Sequence, residues 1–237
     1  MIIQSLHAVS SGICYYSWKH NTFGTRGLNW LKLLLTSNGF FTEEIKTTFL
    51  KLAGGETAGK KAAIVTTASP LKANNPFARK AKTDLMEMGV ADVEFIDVEF
   101  EDPEVLACKD IIYISGGNPF SLLHHAKRSG MDRVLTEMKA KDVVVVGASA
   151  GSVVLGPHIK VVHYFTPHMD AHGTKDFTAL NLTSKLIFPH CDREDLFPDA
   201  GNRTIEERLR EFEAREGCVV TRLKDDGWVT EVIDVNI

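Results

Sequence analysis

The stretch VVVVGASAGSVV (143–154) constrains the fold more than any other part of the chain. Four β-branched valines in a row suit a strand buried on both faces. They run directly into Gly-Ala-Ser-Ala-Gly, small residues on either side of a serine. A buried strand ends this way where the chain turns sharply and the next element packs close. Larger side chains at 147 or 151 would collide with the strand or the incoming helix. G-x-S-x-G after a strand is the pattern of a serine held on a strained strand-to-helix turn, its hydroxyl projecting from the end of the sheet. The plainer reading is a tight turn that happens to contain serine, because Gly, Ala and Ser are common in turns. The surroundings decide between the two.

Those surroundings alternate. LKLLL (31–35) reads as a strand ending in a Thr-Ser-Asn-Gly turn. Thr42 is placed to cap a helix with Ile45, Phe49 and Leu52 on one face, closed by Gly54 and Gly55. AAIVTTA (62–68) is a second strand. The next helix is expected to bury Phe77, Ala81, Leu85 and Met88 and to stop at Gly89. VEFIDV (93–98) and IIYI (111–114) are further strands, followed by two helices, the second carrying Val134, Leu135 and Met138, and then the valine strand. Beyond residue 160 the pattern loosens. LIF (186–188), CVVTRL (218–223) and WVTEVI (228–233) read as strands. Thr204, with Glu207 three residues on, makes a capping box for a helix burying Ile205, Leu209 and Phe212. Strands alternating with helices, several of them apolar on both faces, predict an α/β fold. Its form is a three-layer sandwich with a mainly parallel central sheet.

Residues 1–30 show no sustained period and lack the basic start and cleavage site of a signal peptide. They are expected to be a poorly ordered N-terminal extension, with one catalytic domain over 31–237. A net charge of −4 offers no basic surface for nucleic acid, and no apolar run is long enough for a membrane span. The four cysteines show no CxxC pair, so reduced thiols and a cytoplasmic location are expected.

In an open parallel sheet, ligands gather at the carboxyl ends of the strands. ISGGNPFSLL (114–123) is a second glycine site there, with Asn118 placed to cap the next helix and Pro119 in its first position. Gly116 and Gly117 would leave backbone N–H groups bare. The plainer reading is a phosphate-binding turn or simple packing. A serine hydroxyl needs a base, and of nine histidines His190, just past LIF, is best placed. His158, His163, His168 and His172 form a loose cluster with Asp170, but no HExxH-like spacing appears and no metal is expected. His124 and His125 fall in a helix, as surface or packing residues. The acid that orients the base is open on this reading. Asp170 or Asp176 would give the order Ser–Asp–His, and Asp225 in LKDDGW would give Ser–His–Asp.

GASAGS, ISGGNPFSLL and IFPHCDRED together resemble the peptidase E family of serine peptidases, family S51, from about Leu31 to the C-terminus. The resemblance implies a class I glutamine amidotransferase-like, flavodoxin-like fold and hydrolysis of short peptides without cofactor or metal. It implies Ser149 as nucleophile, His190 as base and Asp225, three residues before Trp228, as the acid. It also implies that the N–H groups of Gly117 and Ala150 form the oxyanion hole. In the family's aspartyl dipeptidase an arginine in a T-R-E-Q-R segment holds the substrate's aspartate; here Ile205 stands at that place. Arg193, Arg203 and Arg208 are the guanidinium groups that would have to replace it, and Asn118, Arg193 and Arg208 are the candidates for substrate binding. The expected partners are a small peptide and, as an open option, a second copy in a homodimer, but neither nucleic acid nor membrane. Two rival readings stand beside this one. One is a non-catalytic ligand-binding protein on the same scaffold. The other is an α/β-hydrolase-type esterase using Asp170 or Asp176.

Overall fold

The computed structural model describes residues 30–138 and 141–234. Five strands, β1 (Trp30–Thr36), β2 (Lys61–Val65), β3 (Asp92–Ile96), β4 (Ile111–Ile114) and β5 (Val143–Ala148), run parallel. Two short strands, β6 (Leu186–Phe188) and β7 (Val220–Arg222), pair with each other as a separate parallel sheet. The last strand, β8 (Trp228–Asp234), closes the edge of the main sheet antiparallel to β1. The order across the main sheet is β3-β2-β4-β5-β1-β8.

Side chains on a strand alternate between faces, and the valine run shows what that does. Val144 and Val146 pack with Leu34 and Ile64 against α1 (Glu43–Leu52) and α2 (Pro76–Glu87). Val143 and Val145 point the other way, with Leu33 and Leu35. That face is covered by α3 (Pro119–Ser129), α4 (Met131–Glu137), α5 (Ala150–Val154), α6 (Lys160–Phe165) and α7 (Ile205–Glu216). A strand buried on both faces has no polar side to offer water, hence the unbroken valines. The result is the expected three-layer sandwich.

The helices begin where capping residues allow. Side-chain oxygens of Thr42, Asn75 and Asn118 accept the first free N–H groups of α1, α2 and α3, and Thr204 with Glu207 completes the capping box of α7. Register then sets the site. Leu35 and Ile114 both pair with Gly147, so the carboxyl ends of β1, β4 and β5 lie side by side.

Three expectations need correction or limits. Phe77 does not share the buried face of α2 and is 67% exposed; the buried stripe is Ala78, Ala81, Asp84 and Leu85. A helix turns 100° per residue, so a one-residue error in phase carries a side chain from the core to the edge. Among the described cysteines, Cys191 and Cys218 are free thiols and Cys108 is in a disulfide. Reduced thiols were therefore wrongly expected at Cys108, because sequence spacing does not show which cysteines meet in space. The expected N-terminal extension lies outside the described residues except for Trp30, which opens β1. No helix among the described residues is long and apolar enough to cross a membrane.

Candidate active site

Ser149 follows β5 with φ 50° and ψ −113°, in the left-handed region that a side chain resists. Such a conformation costs about 1–3 kcal/mol and survives only where its surroundings over-determine it. They do so here. The Ser149 N–H donates to the Thr36 carbonyl at 3.0 Å, and its own carbonyl accepts from Val153 N–H at 3.1 Å. The buried Ser152 hydroxyl accepts from Thr36 N–H at 2.9 Å and lies 2.8 Å from the Gly147 carbonyl, tying β1 to the turn. The flanking glycines answer to close approach. A Cβ on Gly151 would sit 2.1 Å from the Ile114 carbonyl oxygen, and one on Gly147 would sit 2.8 Å from the Ser152 nitrogen. Ala150 opens α5, so its N–H has no partner within the helix.

The turn after β4 lies against this one. A Cβ on Gly116 would stand 3.0 Å from that of Ser149. Gly117 has φ +143°, and a Cβ there would meet the Ala68 carbonyl oxygen at 2.3 Å. Asn118 is committed to the fold. Its side-chain oxygen accepts from the N–H groups of Phe120 and Ser121 at 2.9 and 3.2 Å, and its amide donates to the Met169 carbonyl at 2.8 Å.

His190 leaves the end of β6 with φ 57°, again a strained backbone for a residue with a side chain. Its N–H donates to Ser37 Oγ at 2.8 Å. Its Nε2 lies 3.0 Å from Ser149 Oγ and its Nδ1 2.5 Å from Asp225 Oδ1. A carboxylate only accepts, so Nδ1 carries the proton, and Nε2 is left to accept from the serine hydroxyl. Asp225 follows β7. Phe188 pairs with Arg222, which carries the chains leaving β6 and β7 to the same place. The other carboxylate oxygen of Asp225 accepts from Arg193 Nη1 at 3.1 Å, and its N–H donates to Asp192 Oδ1 at 3.0 Å. Burial pushes the Asp225 carboxyl upward, but the hydrogen bonds from His190 and Arg193 prevail and hold it below the usual carboxylate range.

Among the remaining candidates, Arg193 reaches the triad at Asp225, and the others are engaged away from it. Asp170 accepts from the N–H groups of His172 and Thr174, and Asp176 pairs with Lys127, so neither reaches His190. Arg193 touches Asp225 and Asp195. Arg203 pairs with Asp199 and Glu211. Arg208 is buried, stacked on Phe165 and donating to the Phe197 carbonyl. The loose histidine cluster does not gather. His172 stacks on His124 while His163 packs by Phe177, and no group of three or more His, Cys, Asp or Glu among the described residues is placed to hold a metal ion.

Sequence reading missed Ser37, taken only as part of a turn. Its signal was position, since it stands one residue past the end of a strand neighbouring β5. It also missed that Phe77, with Phe41, lines a cavity of about 360 Å³ opening beside Ser149.

Known proteins resemble this chain in sequence and in fold. Peptidase E of Streptomyces coelicolor is 28% identical over 209 residues, 84% of this chain and 80% of that protein. An uncharacterized peptidase of Listeria innocua is 32% identical over 136 residues, 56% of this chain and 65% of its own length, so the match spans less than two thirds of that relative. Among solved structures, a peptidase E-type protein from Listeria monocytogenes EGD-e superposes with a TM-score of 0.66 at 22% identity, over 86% of this chain and 100% of that one. A peptidase from an acI-B1 Actinobacterium gives 0.56 at 18% identity, over 78% and 77%. At such identities these two structures speak for the fold alone. The model of peptidase family S51 matches residues 33–234, from β1 to β8 and through both glycine turns, and to that family this chain belongs.

Proposed function

We propose that the protein is a serine peptidase of short peptides, dipeptides included, with Ser149 as nucleophile, His190 as general base and Asp225 as the acid that orients it. The observation that supports it is the continuous chain Ser149–His190–Asp225, with contacts of 3.0 and 2.5 Å. His190 Nε2 takes the hydroxyl proton as Ser149 Oγ attacks the peptide carbonyl carbon. The N–H groups of Gly117 and Ala150 receive the negative charge that develops on the carbonyl oxygen, each such donor contributing roughly 10²–10³ in rate. His190 then gives its proton to the departing amine as the C–N bond breaks, leaving an acyl-serine. Water, deprotonated by His190, attacks the ester and releases the acid and the free serine. Asp225 stabilises the imidazolium formed twice in the cycle. Arg193 acts through Asp225 rather than on substrate.

Ser149 and His190 beyond hydrogen-bond reach would favour the binding-protein reading; their 3.0 Å separation supports the peptidase instead. The esterase reading required Asp170 or Asp176 at the histidine, and both are engaged elsewhere. The absence of a cofactor and of a nucleic-acid or membrane partner belongs to the same proposal. The test is hydrolysis of a panel of short peptides by the wild-type protein and by Ser149→Ala. Turnover abolished in a variant with an unchanged far-UV spectrum is the expected result. Peptide hydrolysis retained by Ser149→Ala would refute the proposal.

A further inference from the structure

We propose that the cavity beside Ser149 receives the side chain of the residue whose carbonyl is attacked and selects a large, uncharged, apolar or aromatic one, with Phe77 as a specificity-determining residue. This rests on the serine-peptidase reading above and adds its substrate class.

At about 360 Å³ the cavity lies at the small end of the roughly 300–1,000 Å³ typical of ligand sites. Its walls away from the serine are Phe40, Phe41, Phe77, Ala81 and Tyr113. Phe77 and Phe41 are 67% and 54% exposed, leaving apolar surface in water at the mouth of a site where a ligand would cover it. The near wall is Ser115, Gly116, Gly117 and Ala148. An acyl group whose oxygen points at Gly117 carries its own side chain along that wall. The departing amine leaves toward His190, at the rim. The Ser115 hydroxyl, 2% exposed, is without a hydrogen-bond partner among the described residues and lines the same cavity, ready for a main-chain group of a peptide.

The charges decide between side-chain classes. Among the described residues, only Lys80 and Asp84 line the cavity as oppositely charged groups, and they hold each other. Lys80 Nζ lies 2.9 and 2.8 Å from the two Asp84 oxygens, with Lys46 at 3.4 Å. A substrate carboxylate would find the lysine taken and an acid beside it. A substrate ammonium would meet two lysines around that acid. Arg193, Arg203 and Arg208 are bound elsewhere and none lines the cavity. Ile205, in the segment T-I-E-E-R, is a core residue at 1% exposure and recognises nothing. A neutral, bulky side chain is the one that fits.

The test is kcat/KM on dipeptides X-Leu with X as Phe, Leu, Ala, Asp or Lys, for the wild type and for Phe77→Asp. Phe77 is exposed, so its replacement leaves the fold intact. Phe-Leu and Leu-Leu are expected to exceed Asp-Leu and Lys-Leu by at least about tenfold. Phe77→Asp is expected to lower the ratio of Phe-Leu to Ala-Leu turnover several-fold. Asp-Leu or Lys-Leu as the best substrate would overturn this inference and leave the serine peptidase standing. An unchanged ratio in Phe77→Asp would overturn the role of Phe77. No hydrolysis of any member by the wild type would overturn the peptidase reading and this inference with it.

Discussion

The turns after β4 and β5 face each other at the same sheet edge, and both depend on glycine, but for opposite ends. After β5 the glycines clear room so that one side chain, Ser149, can be forced outward at φ 50°. After β4 no side chain is wanted. A Cβ on Gly116 would crowd the serine's own Cβ at 3.0 Å, and Gly117 turns at φ +143° against the Ala68 backbone. One turn presents a hydroxyl; the other strips the backbone bare beside it. A nucleophile and the amides that would hold its developing anion thus come from the same local device, tight packing with small residues, used in two senses.

Changes of one or two atoms separate the two roles. The largest expected effect is that of Ser149→Ala, which removes one oxygen and no packing. It should cut kcat by up to about 10⁶ with a melting temperature within about a degree of wild type. Next comes Gly117→Ala. The added methyl strikes the Ala68 carbonyl at 2.3 Å, so activity and stability should fall together, by about 10²–10³ in kcat and about 1–3 kcal/mol in unfolding. A Gly117→Ala protein with wild-type stability would show that the turn is looser than described. Ser37→Ala takes away the acceptor of the His190 N–H. It should lower kcat roughly tenfold, the size of one hydrogen bond of about 1–1.5 kcal/mol, with KM nearly unchanged. A change in KM alone would place Ser37 with the substrate instead.

The smallest effect on this comparison is that of pH on stability, which arises away from both turns. Hydrogen bonds from Arg203 to Asp199 and from Arg222 to Glu213 hold those carboxyls below their ordinary range, as His190 and Arg193 hold Asp225. Each group binds fewer protons folded than unfolded. Its contribution is therefore present above about pH 4 and is lost as pH falls through the lowered folded value. Burial lowers His125 and His158, which adds a shallower loss beginning below about pH 6.5. The melting temperature should decline gently from neutrality and steeply below about pH 4. A flat profile to pH 3 would contradict the ion-pair assignments.

The parallel half of the fold was legible because burial on both faces writes an unbroken apolar run, and because caps such as Thr42, Asn118 and Thr204 are local signals. Beyond α5 the chain is held by distant contacts that leave no period. Nothing in LIF or CVVTRL shows that they leave the main sheet and pair with each other, although that pairing brings His190 and Asp225 together. Ser149 could be read from its neighbours in sequence. The choice among Asp170, Asp176 and Asp225 could not, because it depends on which loop lies beside another in space. Ser37 was hidden for the same reason. Phe77 was misplaced because its helix carries an apolar residue on either side of the true buried stripe.

The central claim is that Ser149 alone is activated, by an imidazole that Asp225 holds in place. Labelling with a fluorophosphonate, followed by intact mass and peptide mapping, tests this most directly. One adduct on Ser149 is expected in the wild type, none in Ser149→Ala and a much slower one in Asp225→Asn. An adduct mapped to another residue, or labelling as fast in Asp225→Asn as in the wild type, would contradict the account.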